Sequence, residues 1–328
     1  MDLERIVAIS LIKNFNLQEK NNLEEIIIED EKLEKSRKII EKCYKLGINI
    51  LTKLDKNYPQ ELKSIFNSPL VIYYKGNLEV LKSRKVGIVG TRKPTKYGRD
   101  VAFEFSKALS KRKISIVSGG ARGIDTVAHI AALEAGGTTI CVLGCGLDIV
   151  YPPENKKIFK EIEKKGILIT EHPPGTRPFS YNFPLRNRII AALSEVIIVV
   201  EAGEKSGTFI TVKWALDMGK DVFAIPGEIY SPKSKGPNFL IKQGAHLATD
   251  PLDILEHLGI EEKLFKEEVK LESEERKIFN YLKEKGKKNI DEIREDLKIE
   301  IAELISLLIN LEIKGIIRND GGGFYSIK

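Results

Sequence analysis

The stretch Lys85–Gly98, KVGIVGTRKPTKYG, begins as an uninterrupted apolar run and ends as a polar loop carrying glycine and proline. Val86–Gly90 has the composition of a strand covered on both faces. Gly87, Gly90 and Gly98 do not have the spacing of a dinucleotide-binding fingerprint, and no Gly-Lys-Ser follows to make a P-loop. A strand, a glycine turn and a following helix nevertheless build an anion site, because the turn and the helix N-terminus leave backbone N–H groups unpaired. Arg92 and Lys93 in that turn point to a phosphate as the anion.

Outward from this stretch the pattern repeats. Short apolar runs follow at ISIVSG (114–119), TTICVLG (138–144), GILITE (166–171), VIIVVE (196–201) and DVFAIPG (221–227), separated by helical patterns. Such alternation predicts an α/β, Rossmann-like doubly wound domain with a mainly parallel sheet. Right-handed crossovers then put the loop after every strand along the carboxyl edge of the sheet.

The flanks read differently. LERIVAISLIKNF and LEKSRKIIEKCYKLG carry apolar residues at helical steps and predict a small N-terminal helical domain with an irregular bridge, residues 1–68, running into one expected strand, PLVIYYKG (69–76). The Rossmann-like domain is expected over 69–258. Residues 259–273 form a charge-rich linker. Three helical patterns and two short strands around Gly321–Gly323 predict a winged-helix domain over 274–328.

Composition sets outer limits. The chain has 328 residues and a net charge of +6, from 53 basic against 47 acidic side chains, which permits a polyanionic partner without requiring one. Met1–Ser10 mixes acids with apolar residues and is no signal peptide, and no apolar run reaches the length of a membrane span, so a cytoplasmic protein is expected. Cys43, Cys141 and Cys145 read as reduced thiols of the core or loops. His129, His172, His246 and His257 are scattered with no ligand-spaced pair, so no metal and no cofactor is expected.

The residues at the strand ends carry the chemistry. Gly90, Thr91 and Arg92 follow the first strand, Ser118, Gly119 and Arg122 the second, and Ser206, Gly207 and Thr208 the fifth. The loop after the fourth strand leads through Arg177, Phe179 and Tyr181 to Phe183, Arg186, Asn187 and Arg188. Five arginines (92, 122, 177, 186 and 188) and two Gly-Ser/Thr turns on one edge suit a repeated phosphate, and interleaved aromatics suit stacking on bases. Each feature has a plainer reading: glycines serve tight turns, Arg186 and Arg188 pair with acids, and the aromatics pack in loops.

The motifs GIVGTRKPTKYG, SGGARGIDTVAH, CGLDIVYPPEN, NFPLRNRIIAALS, EAGEKSGTFITVKWALDMGKDVFAIPG and SKGPNFLIKQGAHL, in that order, resemble those of the bacterial DNA-processing protein A family (DprA, also called Smf). Departures include Gly120, where leucine is usual in the family. The resemblance implies a protein that is not an enzyme. It implies binding of single-stranded DNA across the Rossmann-like domain, a homodimer formed through that domain, and delivery of the strand to RecA recombinase in natural transformation or recombination. It places Arg92, Phe183, Arg186, Asn187 and Arg188 at the DNA, and the C-terminal unit is similar to the family's winged helix. The competing reading is a nucleotide hydrolase of the Lonely-Guy type, whose loop carries a catalytic glutamate where this sequence has Thr211.

Overall fold

The computed structural model describes residues 2–12, 26–260, 273–314 and 316–327, grouped into two units, Met1–Leu258 and Gly259–Lys328. The expected linker lies almost wholly outside the described residues. The first unit opens with helices α1 (Leu3–Ser10) and α2 (Asp30–Lys45), followed by β1 (Asn49–Thr52), α3 (Gln60–Lys63) and β2 (Val71–Gly76). Then come β3 (Lys85–Val89), α4 (Lys96–Lys111), β4 (Ser115–Ser118), α5 (Ile124–Glu134), β5 (Thr139–Val142), α6 (Lys156–Lys165) and β6 (Ile167–Thr170). The unit ends with α7 (Asn182–Leu193), β7 (Val196–Val199), α8 (Thr208–Asp217), β8 (Asp221–Ala224), α9 (Lys235–Lys242), β9 (His246–Leu247) and α10 (Pro251–His257).

The strands form one sheet in the order β1-β2-β6-β5-β4-β3-β7-β8-β9. From β6 to β9 every pairing is parallel, whereas β2 pairs antiparallel with both β6 and β1. The apolar runs become strands because helices cover both faces. Ile140 and Val142 of β5 join the core with Ile189–Leu193 of α7 and with Val212 and Ala215 of α8, while the alternate residue Cys141 packs with Leu133, Phe159 and Ile162 of α5 and α6. The three cysteines are buried and free.

Two strands of this sheet are additions to the sequence reading. β1 lies in what reads as an irregular bridge, and β9 is two residues long, too short for any period to register. Residues expected as a separate helical domain and bridge thus extend the sheet, and Ile6, Val7, Ile9, Ile39 and Cys43 pack against Leu70, Val71 and Tyr73 of its antiparallel edge. Among the described residues no helix is long and apolar enough to cross a membrane.

The second unit contains α11 (Ser273–Lys285), β10 (Lys288–Asn289), α12 (Ile290–Leu297), α13 (Ile301–Ile313), β11 (Ile317–Asn319) and β12 (Phe324–Ile327). Its strands pair in the order β10-β12-β11, and Ile278, Leu282, Ile293, Leu304, Leu308 and Leu311 form its own core. Ile301, Ile305, Ile309 and Ile313, one helical turn apart, are exposed along α13.

Candidate nucleic-acid interface

In the sheet β3 lies between β4 and β7, and the chain leaves β3 towards one side and reaches β7 on the other, so the loops after β3 and β7 diverge. A cavity of about 590 Å³ opens there. Gly90, Thr91, Arg92 and Lys93 line it from the loop after β3, Ser206, Gly207 and Thr208 from the start of α8, and Phe183, Pro184, Arg186 and Asn187 from the first turns of α7. The structure therefore brings together nine of the thirteen residues selected from the sequence.

The arginine-bearing loop is fixed from below. The Thr91 N–H donates to the Glu201 carbonyl at 2.7 Å, and the buried Glu201 carboxylate accepts from the Thr95 N–H at 2.9 Å and the Thr95 hydroxyl at 2.5 Å. Thr95 in turn caps α4 by accepting from the Gly98 N–H. Glu201 is thus a structural acceptor for the loop and is not among the cavity's lining residues.

Two helix N-termini meet at the cavity, those of α7 and α8, and neither has a side-chain cap. Ser206 and Thr208 form a local turn, with the Ser206 hydroxyl donating to Thr208 Oγ1 at 2.9 Å. The Thr208 N–H is held by the Ser206 hydroxyl at 3.3 Å and those of Phe209 and Ile210 by the Ser206 and Gly207 carbonyls, so what the two helix starts turn to the same space is the positive end of each dipole. Arg92, Lys93 and Lys233 add three side-chain cations that form no ion pair among the described residues. Lys233 and Tyr151 are not part of the sequence-based set, although Lys233 belongs to the loop after β8, where the strand-end argument points.

Phe183 sits at the centre. The Arg92 guanidinium carbon lies 5.6 Å from its ring centroid and that of Arg186 lies 6.0 Å away, while the Tyr151 ring is tilted at 5.6 Å. Pro184 predicts extended backbone at Phe183 and a helix beginning only beyond it. The structure corrects this: α7 starts at Asn182, so Phe183 and Pro184 lie in its first turn, where proline has no intrahelical bond to lose. The Asn182 amide anchors the start by donating to the Gly144 carbonyl at 3.0 Å.

Arg186 contributes from beneath the surface. It is buried, donating from Nη1 to the carbonyls of Gly119 (2.5 Å) and Val142 and from Nε to Asn187 Oδ1 (3.1 Å). Gly119 leaves room for it, since a Cβ there would lie 2.5 Å from Nη2 and 2.6 Å from Cζ. Burial pushes the Arg186 guanidinium below its ordinary value, opposed by the nearby Asp125 carboxylate. Burial likewise raises the Asp125 carboxyl, which the Arg186 charge lowers. Gly120, the family departure, has φ +66°, and a Cβ there would lie 2.6 Å from Cys141 Sγ.

Three sequence-selected residues are engaged elsewhere. Arg188 is buried, its Nη1 and Nη2 donating to the Glu171 carboxylate at 2.8 Å and 2.7 Å and Nη2 also to the Asn67 carbonyl. For Arg188 the plainer reading, pairing with an acid, is the arrangement found. Ser118 is wholly buried, donating to the Ile88 carbonyl. Arg122 pairs with Glu154 and lines an adjoining groove of about 500 Å³ that shares Arg92 and Lys93 with the main cavity and adds Arg99.

The family model described as DNA recombination-mediator protein A matches residues 49–259. The chain belongs to this family. The DNA processing protein DprA of Bacillus subtilis is 46% identical over 213 residues, covering 65% of this chain and 72% of the relative. That of Streptococcus pneumoniae is 45% identical over 202 residues, covering 62% and 71%. A solved structure of the Streptococcus pneumoniae protein covers 77% of this chain and 92% of its own, with a TM-score of 0.65 and 36% identity. A solved structure of DNA processing protein A from Helicobacter pylori covers 64% and 95%, with a TM-score of 0.58 and 32% identity. The α/β, Rossmann-like reading and the family resemblance both hold.

Proposed function

We propose that this protein binds single-stranded DNA along the cavity at the β3–β7 switch point and the adjoining groove. The observation that carries the reading is the convergence of two uncapped helix N-termini and the unpaired Arg92, Lys93 and Lys233 around the half-buried Phe183 ring. Phosphates suit the helix dipoles and cations, and a base suits an aromatic face, whatever the sequence. The Helicobacter pylori relative, whose solved structure concerns its single-stranded DNA binding mode, supports the same use of the site here. Arg92 and the turns at Gly90–Thr91 and Ser206–Thr208 contact the backbone, and Asn187 adds an amide. Arg186 and Gly119 act by holding Phe183 and Asn187 in place, and Ser118 and Arg188 support the fold.

The family membership supports a cytoplasmic role in transformation or recombination, in which the bound strand is passed to RecA recombinase. It also supports a homodimer through the Rossmann-like domain. The exposed isoleucine stripe of α13 suits a protein partner better than a DNA groove.

Catalysis is not part of the proposal. Thr211 lines the cavity where a hydrolase of the Lonely-Guy type needs a glutamate, Glu201 is bonded to Thr95, and Glu171 to Arg188. Asp125 is the one carboxylate among the lining residues, and it is buried beside Arg186. Fluorescence anisotropy with labelled single-stranded, duplex and mononucleotide ligands tests the reading. Single strands should bind tightest, with log K falling against log salt by about 0.7 per phosphate neutralised. Equal affinity for duplex, or release of base from a nucleoside monophosphate, overturns it.

A further inference from the structure

Asp221 opens β8, His246 lies on the edge strand β9 opposite Phe223, and His257 occupies the last turn of α10. The fold gathers one ligand atom from each within 4.8 Å of the others, on the exposed surface at the outer edge of the sheet. Asp221 is at the amino end of its strand, whereas the DNA cavity lies beyond the carboxyl ends of β3 and β7, so the two sites are separate features of the fold.

Hydrogen bonding accounts for only part of this cluster. His257 Nε2 is 3.0 Å from Asp221 Oδ2, a normal bond length, but His246 Nε2 is 3.5 Å from Asp221 Oδ1, too long for one. A spacing of that size is compatible with an ion held between the two groups. With bonds of about 2.0–2.1 Å to a tetrahedral zinc, ligand atoms lie roughly 3.3 Å apart, and the three here, each imidazole facing a different Asp221 oxygen, already stand within 4.8 Å of one another. Phe223 walls both imidazoles, stacked on His246 at 4.8 Å and edge-on to His257 at 5.1 Å, which limits the rotation of both rings.

We propose that Asp221, His246 and His257 bind a divalent zinc ion through two imidazoles and one carboxylate, with water in the fourth position. Imidazole and carboxylate donors suit zinc, and a calcium or magnesium site needs more oxygen ligands than this cluster supplies. The ion ties the end of α10 to β8 and β9, fastening the last helix of the first unit to the edge of the sheet.

The test uses the full-length, untagged chain, stripped with chelator and desalted, then titrated with zinc chloride by calorimetry and melted with and without zinc. One zinc per chain should bind with at least micromolar affinity and raise Tm. His246→Gln and His257→Gln should each weaken binding by on the order of a hundredfold and abolish the zinc-dependent rise, with zinc-free melting close to that of the wild type because both side chains are exposed. Asp221→Asn gives a third reading of the same kind should either histidine variant fail to fold. Cobalt substitution should give visible bands without thiolate charge transfer, because no cysteine is a ligand. The proposal is overturned by absence of zinc uptake at about 100 μM, by wild-type affinity in the variants, or by a thiolate spectrum.

Discussion

Replacing Arg186 with methionine separates a structural arginine from a DNA-binding one. The side chain is buried and donates to the Gly119 and Val142 carbonyls and to Asn187 Oδ1, with Asp125 as its nearby countercharge. Methionine keeps much of the volume but leaves two buried carbonyls without these donors and Asp125 without its partner charge. Removing one member of such a buried arrangement costs about 3–5 kcal/mol. At about 2–4 °C per kcal/mol for a unit of this size, Tm should fall by roughly 6–20 °C.

Arg92→Ala is the matched control. Arg92 is exposed, and its described contact is with the Phe183 ring, worth about 0.5–1 kcal/mol, so Tm should move by no more than a few degrees. Its loss should nevertheless weaken single-strand binding by about ten- to a hundredfold, the value of one charge-assisted contact, and reduce the salt slope by about 0.7. Differential scanning calorimetry and salt-dependent anisotropy on the same preparations measure both quantities. An Arg186→Met protein with wild-type Tm and a flattened salt slope would instead make the guanidinium a phosphate ligand.

Phe183→Leu keeps apolar contact with Gly144 and Tyr151 but removes the π-face, so single-strand affinity should drop about ten- to a hundredfold with the salt slope unchanged; a fall in Tm without an affinity change makes the ring a packing element. His129 is fully buried, its Nδ1 2.6 Å from Thr139 Oγ1, and burial lowers its pKa to about 3. Between that value and the usual one of about 6.5 only the unfolded chain binds the proton, so stability falls as pH drops, by about 2 kcal/mol at pH 5; urea titrations of His129→Gln should lack that component, and an unchanged pH profile rejects it. A chain ending at Leu258 should remain folded and bind single-stranded DNA within about twofold of the full chain, since the second unit has its own core; loss of binding by a folded fragment moves part of the site into that unit.

Strand runs such as VIIVVE and TTICVLG were readable because a strand covered on both faces needs apolar residues without interruption. Their order was enough to place the following loops on one edge, and with them Gly90–Arg92, Phe183 and Ser206–Thr208 at one cavity. Partners were not readable. Nothing near Arg188 in the chain announces Glu171 seventeen residues earlier as its ion pair, and nothing in SGG shows that Gly119 makes space for a guanidinium from α7. At Phe183–Pro184 two local rules compete, and the tolerance of a first helical turn for proline wins over the extended bias before it. His246 and His257 fail every ligand-spacing rule, because an edge strand and a helix, rather than one helix face, bring them to Asp221.

Arg92 and Arg186 flank one aromatic ring from two elements, and the charge of Arg92 adds to the burial that pushes the Arg186 guanidinium down. Asp125 offsets part of that cost from below, but it is buried, and Arg92 has no carboxylate of its own among the described residues. Two uncapped helix N-termini add positive ends to the same space. Without an anion, these like charges repel across a partly desolvated cavity, where screening is weaker than in water. At the proposed site an arriving phosphate would relieve that repulsion as well as gain its own contacts, beside the Phe183 ring on which a base would stack. Local rules for stability are broken here in the way expected of a binding site, with Gly119, Glu201 and Asn182 fixing the elements that carry the charge.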